Sequence, residues 1–536
     1  MRTIRGQIVD LHQQRIFPGE VRIEGQRIAS IQEVESAPEQ YIMPGFVDAH
    51  VHIESSMLVP YEFARVALQY GTVATISDPH EIANVLGIEG VRYMIDNARN
   101  AKLKFHFGAP SCVPATSFET AGAVIDSTGV EAMLQWPDIY YLAEMMNYPG
   151  VLFQDEEVMK KLAAAKRIGK PIDGHAPGLR GEQAKQYAAA GITTDHECFT
   201  LEEALDKLAC GMKILIREGS AAKNYKALHS LLGTHPEEVM FCSDDKHPDD
   251  LLLGHIDELV RRSLQRGYDL FAVLRAACLH PVQHYNMQVG TLQIGDFADF
   301  IIVNKLEEFQ VSSTFINGEE VVQMGSCILG DQTHPHVNNF SIGPVEASAF
   351  RVSFEGFTAP VIKAIDGELI TEKLPYQYTN TNGFIESDPA NDILKVVIVN
   401  RYQQAPPAVG FIQNFRIQEG ALASTVAHDS HNIICVGTSD EYIAQAINLL
   451  VQSKGGLSAV SPDDAQHIPL PIAGLMSDQP AAKIGEAYAK IDALARSMGC
   501  GLRAPYMTLS FMALLVIPKI KLSDKGMFDA EAFAFY

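Results

Sequence analysis

The sequence predicts an α/β protein: a TIM (β/α)8 barrel with a small β-sandwich domain formed from both flanks and a C-terminal α+β domain. Three observations predict it. Between residues 44 and 286, short apolar strands alternate with helical stretches, the pattern of a parallel sheet with crossover helices. On both sides of that region, residues 1–43 and 287–335 read as short strands with alternating polar and apolar residues and tight turns between them. Residues 336–536 change texture again, to longer strands and helices with turn-rich joints.

Taken in order, TIRGQIVDL and GEVRIEGQRIASIQEV supply the first flank. The barrel strands are MPGFVDAHVH, TVATISDPH, KFHFGAP, IYYLAEMMN, PIDGHAPG, ITTDHECF, KILIREGS and EVMFCSDD. Most are followed by helical stretches such as DEEVMKKLAAAKRIG and LEEALDKLACG, and eight such units is the count of a TIM barrel. GTLQIGDFADFIIVNKLEEFQVSSTFINGEEVV returns to short strands and is expected to pair with residues 1–43. The polar, proline-containing DQTHPHVNNFSIGP reads as a linker. Beyond it, DILKVVIVNRY and HNIICVGT read as strands, and SDEYIAQAINLLVQSKG and KIGEAYAKIDALARSMG as helices.

The 536 residues are 47% hydrophobic and 20% charged, with 40 Gly and 27 Pro, which is the composition of a globular protein. A net charge of −23 argues against a nucleic-acid footprint or an anionic membrane surface and points to a small-molecule substrate. The eight cysteines form no C-x-x-C pair, so reduced, mostly buried thiols in a cytosolic protein are expected. MRTIRGQIVDLHQQRIF has no apolar core with a cleavage site, and no apolar run approaches a membrane span. A homodimer is expected only because twofold assemblies are the commonest.

His50 and His52 end the first barrel strand. Residues two apart on a strand share a face, so both imidazoles can reach one metal ion. Alone, the pair is a weak signal, since histidines so spaced on a strand more often occupy exposed or core positions. Glu144 lies in the fourth strand, His175 ends the fifth, His196 the sixth and Asp244 the eighth. Six metal-type residues thus fall where barrel strands end, on the rim where such barrels keep their chemistry.

With these residues in place the sequence resembles the amidohydrolase superfamily. PGFVDAHVHIESSM, DPHEIANVLG and AEMMNYPGV, with VAHDSHN and PLPIAGLMSD further on, are similar to the adenine deaminase family within it, over nearly the whole chain. The resemblance implies two divalent metal ions, Mn²⁺ or Fe²⁺, although imidazole and carboxylate suit Zn²⁺ as well. It implies that His50, His52 and Asp244 hold one ion, that His175 and His196 hold the other, and that Glu144 bridges them. Relatives that open cyclic amides often bridge with a carboxylated Lys from this strand, which here has none. The implied reaction is hydrolysis of adenine to hypoxanthine and ammonia, in purine salvage. Activated water would attack C6, and Asp244 would take its proton and return it to the leaving nitrogen.

Other positions are open to two readings. His80 and Glu81, in D-P-H-E after the second strand, suit an acid acting at a ring nitrogen or a capped helix start. Glu54, Ser55 and Ser56 suit a substrate pocket or a helix cap. Arg217 and Glu218 end the seventh strand and suit a substrate contact or a structural pair. His428, Asp429 and His431 suit a metal site, a contact over the barrel mouth or a hydrogen-bonded cluster; the contact and structural readings are preferred.

The zinc cytidine deaminases carry H-x-E with P-C-x-x-C; His52-Ile53-Glu54 matches the first half, and the second is missing. H-E-x-x-H fails because Asn84 stands where the second His would be. Two alternatives stay open: a hydrolase of another amino-heterocycle or of a cyclic amide, of the dihydroorotase or hydantoinase kind, and a non-catalytic purine-binding homologue.

Overall fold

Eight parallel strands form the centre of the computed structural model, which describes residues 1–306 and 308–536. They are Phe46–Val51, Thr72–Ser77, Lys104–Ala109, Ile139–Met145, Ile172–Gly174, Thr194–Asp195, Lys213–Arg217 and Val239–Cys242. The first five pair in sequence order, as do the last three. Two seams close the ring. The Thr193 N–H donates to the Ile172 carbonyl at 2.9 Å, and Val51 pairs in parallel with Asp244, whose N–H donates to the His50 carbonyl at 2.9 Å. The first and second strands are buried at every position, as expected of strands covered on both faces.

Local chemistry sets the helices between strands. Glu156–Ile168 starts at Asp155, whose carboxylate accepts from the Val158 N–H, and stops at Gly169 in the left-handed conformation (φ 77°). Leu201–Ala209 is capped by Thr200 through the Glu203 N–H. Gly45 lies between the flank sheet and the first barrel strand, where a Cβ would sit 2.1 Å from Val73 Cγ1, so the position admits only glycine.

The two flanks share one eight-stranded sheet. In spatial order it runs Ser326–Cys327, Glu319–Gln323, Val311–Ile316, Phe300–Val303, Tyr41–Pro44, Arg2–Asp10, Arg15–Glu24 and Arg27–Glu33. Tyr41–Pro44 joins the halves, parallel to the first strand of the chain and antiparallel to Phe300–Val303. The sheet curls until Arg27 bridges Phe297, and Ile8, Val21, Ile28, Phe300 and Phe315 are enclosed between its faces. This is how a single sheet makes a two-layered body.

The C-terminal region is built on a second eight-stranded sheet, of mixed direction. At its centre Leu394–Val399 is buried at all six positions and runs antiparallel to both Ala408–Gln413 and Ile433–Gly437. Helices Asp440–Ser453 and Ala481–Ser497 accompany it. This sheet's loops reach the barrel rim: Asn432 Nδ2 donates to the Thr120 carbonyl at 2.8 Å, and the Ser477 N–H to the Met57 carbonyl at 2.8 Å. Among the described residues no helix is long and apolar enough to cross a membrane.

Lys521 is a fully buried amine with no carboxylate partner among the described residues. Its Nζ donates to the carbonyls of Leu369 (2.6 Å) and Phe511 (2.9 Å), and burial pushes its pKa down to about 7. Since an unfolded lysine keeps its proton to about pH 10.4, the unfolded chain binds more protons between those values. Stability therefore rises with pH above 7 by up to roughly 1.4 kcal/mol per unit from this group. The expected result is a Tm that climbs from pH 7 to 9 more steeply in the wild type than in Lys521→Met. Parallel curves would show that Lys521 is charged or solvated in the folded state.

Candidate active site

The barrel rim gathers the six metal-type residues into one buried cluster. His50 and His52 leave the first strand on the same face, and their Nε2 atoms lie 3.1 Å apart. Two lone-pair atoms do not face each other at that distance in a dry interior unless a proton or a cation lies beside them. Glu144 stands between the two halves of the cluster. Its Oε1 is 3.4 Å from His52 Nε2, and its Oε2 is 2.8 Å from His175 Nδ1 and 3.2 Å from His196 Nε2. Asp244 Oδ1 lies 3.3 Å from His52 Nε2 and 3.7 Å from His50 Nε2.

The donor atoms of His50, His196 and Asp244, and likewise those of Glu144, His175 and His196, lie within 4.8 Å of one another. Imidazoles and carboxylates converging at this separation are the donor set a divalent cation requires, so the residues fit a metal pair. His50 is held well below its usual pKa, by burial first and by the neighbouring His196 next, which keeps it in the neutral form a ligand needs.

A buried arginine organises the other side. Arg217 ends the seventh strand and forks onto both oxygens of Glu197 while also pairing with Asp244 Oδ2. Burial alone would raise the Asp244 carboxyl, but the Arg217 guanidinium holds it well below the usual carboxylate range. Glu197, adjacent to His196, is pulled down to about 2 in spite of its burial, with Arg217 the largest favourable influence. It reaches His175 at 3.6 Å and His196 at 3.4 Å, so it backs both imidazoles.

The expected residues divide into those inside and those behind the cavity. His52, Glu144, His175, His196 and Asp244 line it, with His80, Glu81 and Arg217; His50 lies directly beneath. His80 Nδ1 is 3.1 Å from Asp78 Oδ2 and 3.6 Å from Glu144 Oε1. Of the residues left open between a pocket and a structural role, Glu54, Ser55, Ser56 and Glu218 are not among those that line the cavity. After His52 the chain winds into the short helix Ile53–Ser56, which turns Glu54 onto the Ile82 N–H, Ser55 onto Asp245 and Ser56 onto the Ile53 carbonyl. Glu218 follows the strand end on the opposite side from Arg217 and pairs with Arg262 at 2.6 Å. Glu197 and Asp245 line the cavity and were not anticipated. The one sequence signal for Glu197 is its place directly after His196.

A barrel whose mouth collects four histidines and two carboxylates in this way is that of a metal-dependent hydrolase, and the chain belongs to the amidohydrolase family, whose model matches residues 41–321. That family implies divalent metal ions. The model of the adenine deaminase C-terminal domain matches residues 368–534. Adenine deaminase of Salinibacter ruber (strain DSM 13855 / M31) is 51% identical over 535 residues, covering 99% of this chain and 98% of that protein. Those of Sulfurovum sp. (strain NBC37-1) and Methanosarcina barkeri (strain Fusaro / DSM 804) are 50% and 49% identical, over 99% and 100% of this chain. Within the amidohydrolases, this is a member of the adenine deaminase family.

Proposed function

We propose that the protein hydrolyses adenine to hypoxanthine and ammonia, as a purine-salvage enzyme. The observation that carries this reading is Glu144 set between His52 on one oxygen and His175 and His196 on the other, in a chain that matches adenine deaminases from end to end. His50, His52 and Asp244 would hold one cation, His175 and His196 a second, and Glu144 would touch both; Mn²⁺ or Fe²⁺ are the proposed ions. When bound, such a pair supplies a water acidic enough to act as nucleophile at neutral pH.

The chain's own groups handle the protons. Asp244, ionised under the influence of Arg217, accepts the proton of the attacking water and delivers it to the exocyclic nitrogen that leaves as ammonia. His80 stands on the same wall, 3.6 Å from Glu144, and its pKa is well above the usual value: burial opposes the charge, and Asp78 and then Glu81 more than offset it. A protonated His80 can donate to a ring nitrogen as the aromatic system is broken. All eight cysteines are free and six are buried, which supports a reducing, cytosolic setting.

The test is an assay of chelator-stripped protein before and after reconstitution with Mn²⁺. Stripped protein should lose at least about 10²-fold in rate. Reconstitution with two ions per chain should restore stoichiometric hypoxanthine and ammonia. A protein that holds two ions and leaves adenine untouched while turning over a cyclic amide or another amino-heterocycle would overturn the substrate.

A further inference from the structure

The cavity above the metal-type cluster is closed by the C-terminal region. His428, Asp429, Phe511 and Leu514 form its far wall, and the ring of Phe511 stacks on His428 with centroids 4.8 Å apart and planes 19° apart. A carboxylate of the barrel is clamped by this wall: His428 Nδ1 lies 2.6 Å from Glu81 Oε1, and His431 Nε2 pairs with Glu81 Oε2. Glu81 thereby fixes the loop that carries Asp429. Asp429 itself is 2% exposed. Its Oδ1 lies 3.7 Å from His80 Nε2, and its Oδ2 has no hydrogen-bond partner among the described residues. A buried carboxylate oxygen left without a donor is costly, and one that lines a cavity calls for a donor on the ligand.

Beside the metal-type cluster, Phe511, Leu514, Leu369 and Met146 offer apolar surface for a heteroaromatic ring, and His428 and Asp429 offer polar groups from the C-terminal wall. If C6 of adenine faces that cluster, the edge of the ring system remote from C6 is left to the C-terminal wall, and the hydrogen-bond donor on that edge is N9–H.

We propose that Asp429 is a substrate-binding residue whose free carboxylate oxygen accepts the N9–H of adenine, so that the C-terminal region supplies part of the purine site. This rests on the adenine deaminase reading above. It also makes Asp429 the residue that rejects N9-substituted purines, which lack the donor and would press a substituent against a buried charge.

The experiment compares adenine with 9-methyladenine, as substrate or as competitive inhibitor, in Mn²⁺-loaded wild type and Asp429→Asn. The variant should raise KM for adenine by about 10- to 100-fold, the worth of one hydrogen bond to a charged group, with kcat within about threefold. Its affinity for 9-methyladenine should change by less than about threefold, so the preference for adenine collapses. Asp429→Ser should behave in the same way, and metal content and Tm verify that both variants fold. Equal losses on both ligands, a fall in kcat with unchanged KM, or failure of both variants to fold would each overturn the proposal and leave Asp429 a structural residue. Wild-type protein that binds two ions and is inert to adenine would instead overturn the deaminase reading.

Discussion

Asp244→Asn is expected to lower kcat for adenine by about 10³-fold while leaving two metal ions bound and Tm within a few degrees, since one positioned acid–base group contributes about 10²–10⁴-fold. The expectation comes from what each oxygen of Asp244 does. Oδ1 faces His52 and His50, where it can take a proton from water, and Oδ2 is committed to Arg217. Asparagine keeps the shape and loses the proton acceptor. The backbone at Asp244 is left-handed (φ 52°), a conformation that asparagine tolerates as well as aspartate does, so the turn survives the change. Steady-state ammonia release beside metal analysis of the same sample decides the matter. More than a few per cent of wild-type kcat in a fully metallated variant would remove Asp244 from proton transfer.

Arg217→Met should have the largest effect on stability. Arg217 is 2% exposed, and two carboxylates, Glu197 and Asp244, lean on its guanidinium. Removing it strands two buried negative charges beside a third, Glu144, and breaking a buried pair by deleting one partner costs about 3–5 kcal/mol. Divalent cations offset the same carboxylates, so the drop in Tm should be greater in chelator-treated protein than in Mn²⁺-loaded protein. The double variant Arg217→Met/Glu197→Leu, which deletes one of the stranded charges, should recover part of the loss. A Tm equal to the wild type's without metal would mean that Arg217 contributes nothing to holding the site in its unmetallated form.

Much of the barrel floor was legible in the sequence, because a metal site built on strand ends obeys simple periodicities. His50 and His52 share a face through their two-residue spacing, and Glu144, His175, His196 and Asp244 each fall at or just past the end of an apolar run. Where the chain leaves regular structure, that logic stops working. The alternation of a strand would send Glu197 away from the side His196 faces. The sixth strand ends at Asp195, however, so both residues lie in a loop free to turn inward. The sequence leaves Glu54, Ser55 and Ser56 between a substrate pocket and a helix cap, and the short helix Ile53–Ser56 places them behind the cavity. The wall across the mouth was legible only in part: the sequence suggests a contact over the mouth or a hydrogen-bonded cluster for His428, Asp429 and His431, but not the group they meet. Glu81 and His428 meet at 2.6 Å across 347 positions of sequence, and no local pattern encodes a contact of that separation.

The order of synthesis gives the curled flank sheet a temporal meaning. Its first strand begins at Arg2 and its last pairing waits for Ser326–Cys327, so the amino-terminal hairpin leaves the ribosome long before the strands Phe300–Val303 and Val311–Ile316 that complete its sheet. When Cys327 has emerged, every residue of the barrel floor has been made, while His428, Asp429 and Phe511 have yet to be translated. A nascent chain at that length can present a finished floor under an open mouth. At that length the metal-type residues would still be open to solvent, and the wall that carries His428, Asp429 and Phe511 would close over them only after it is made.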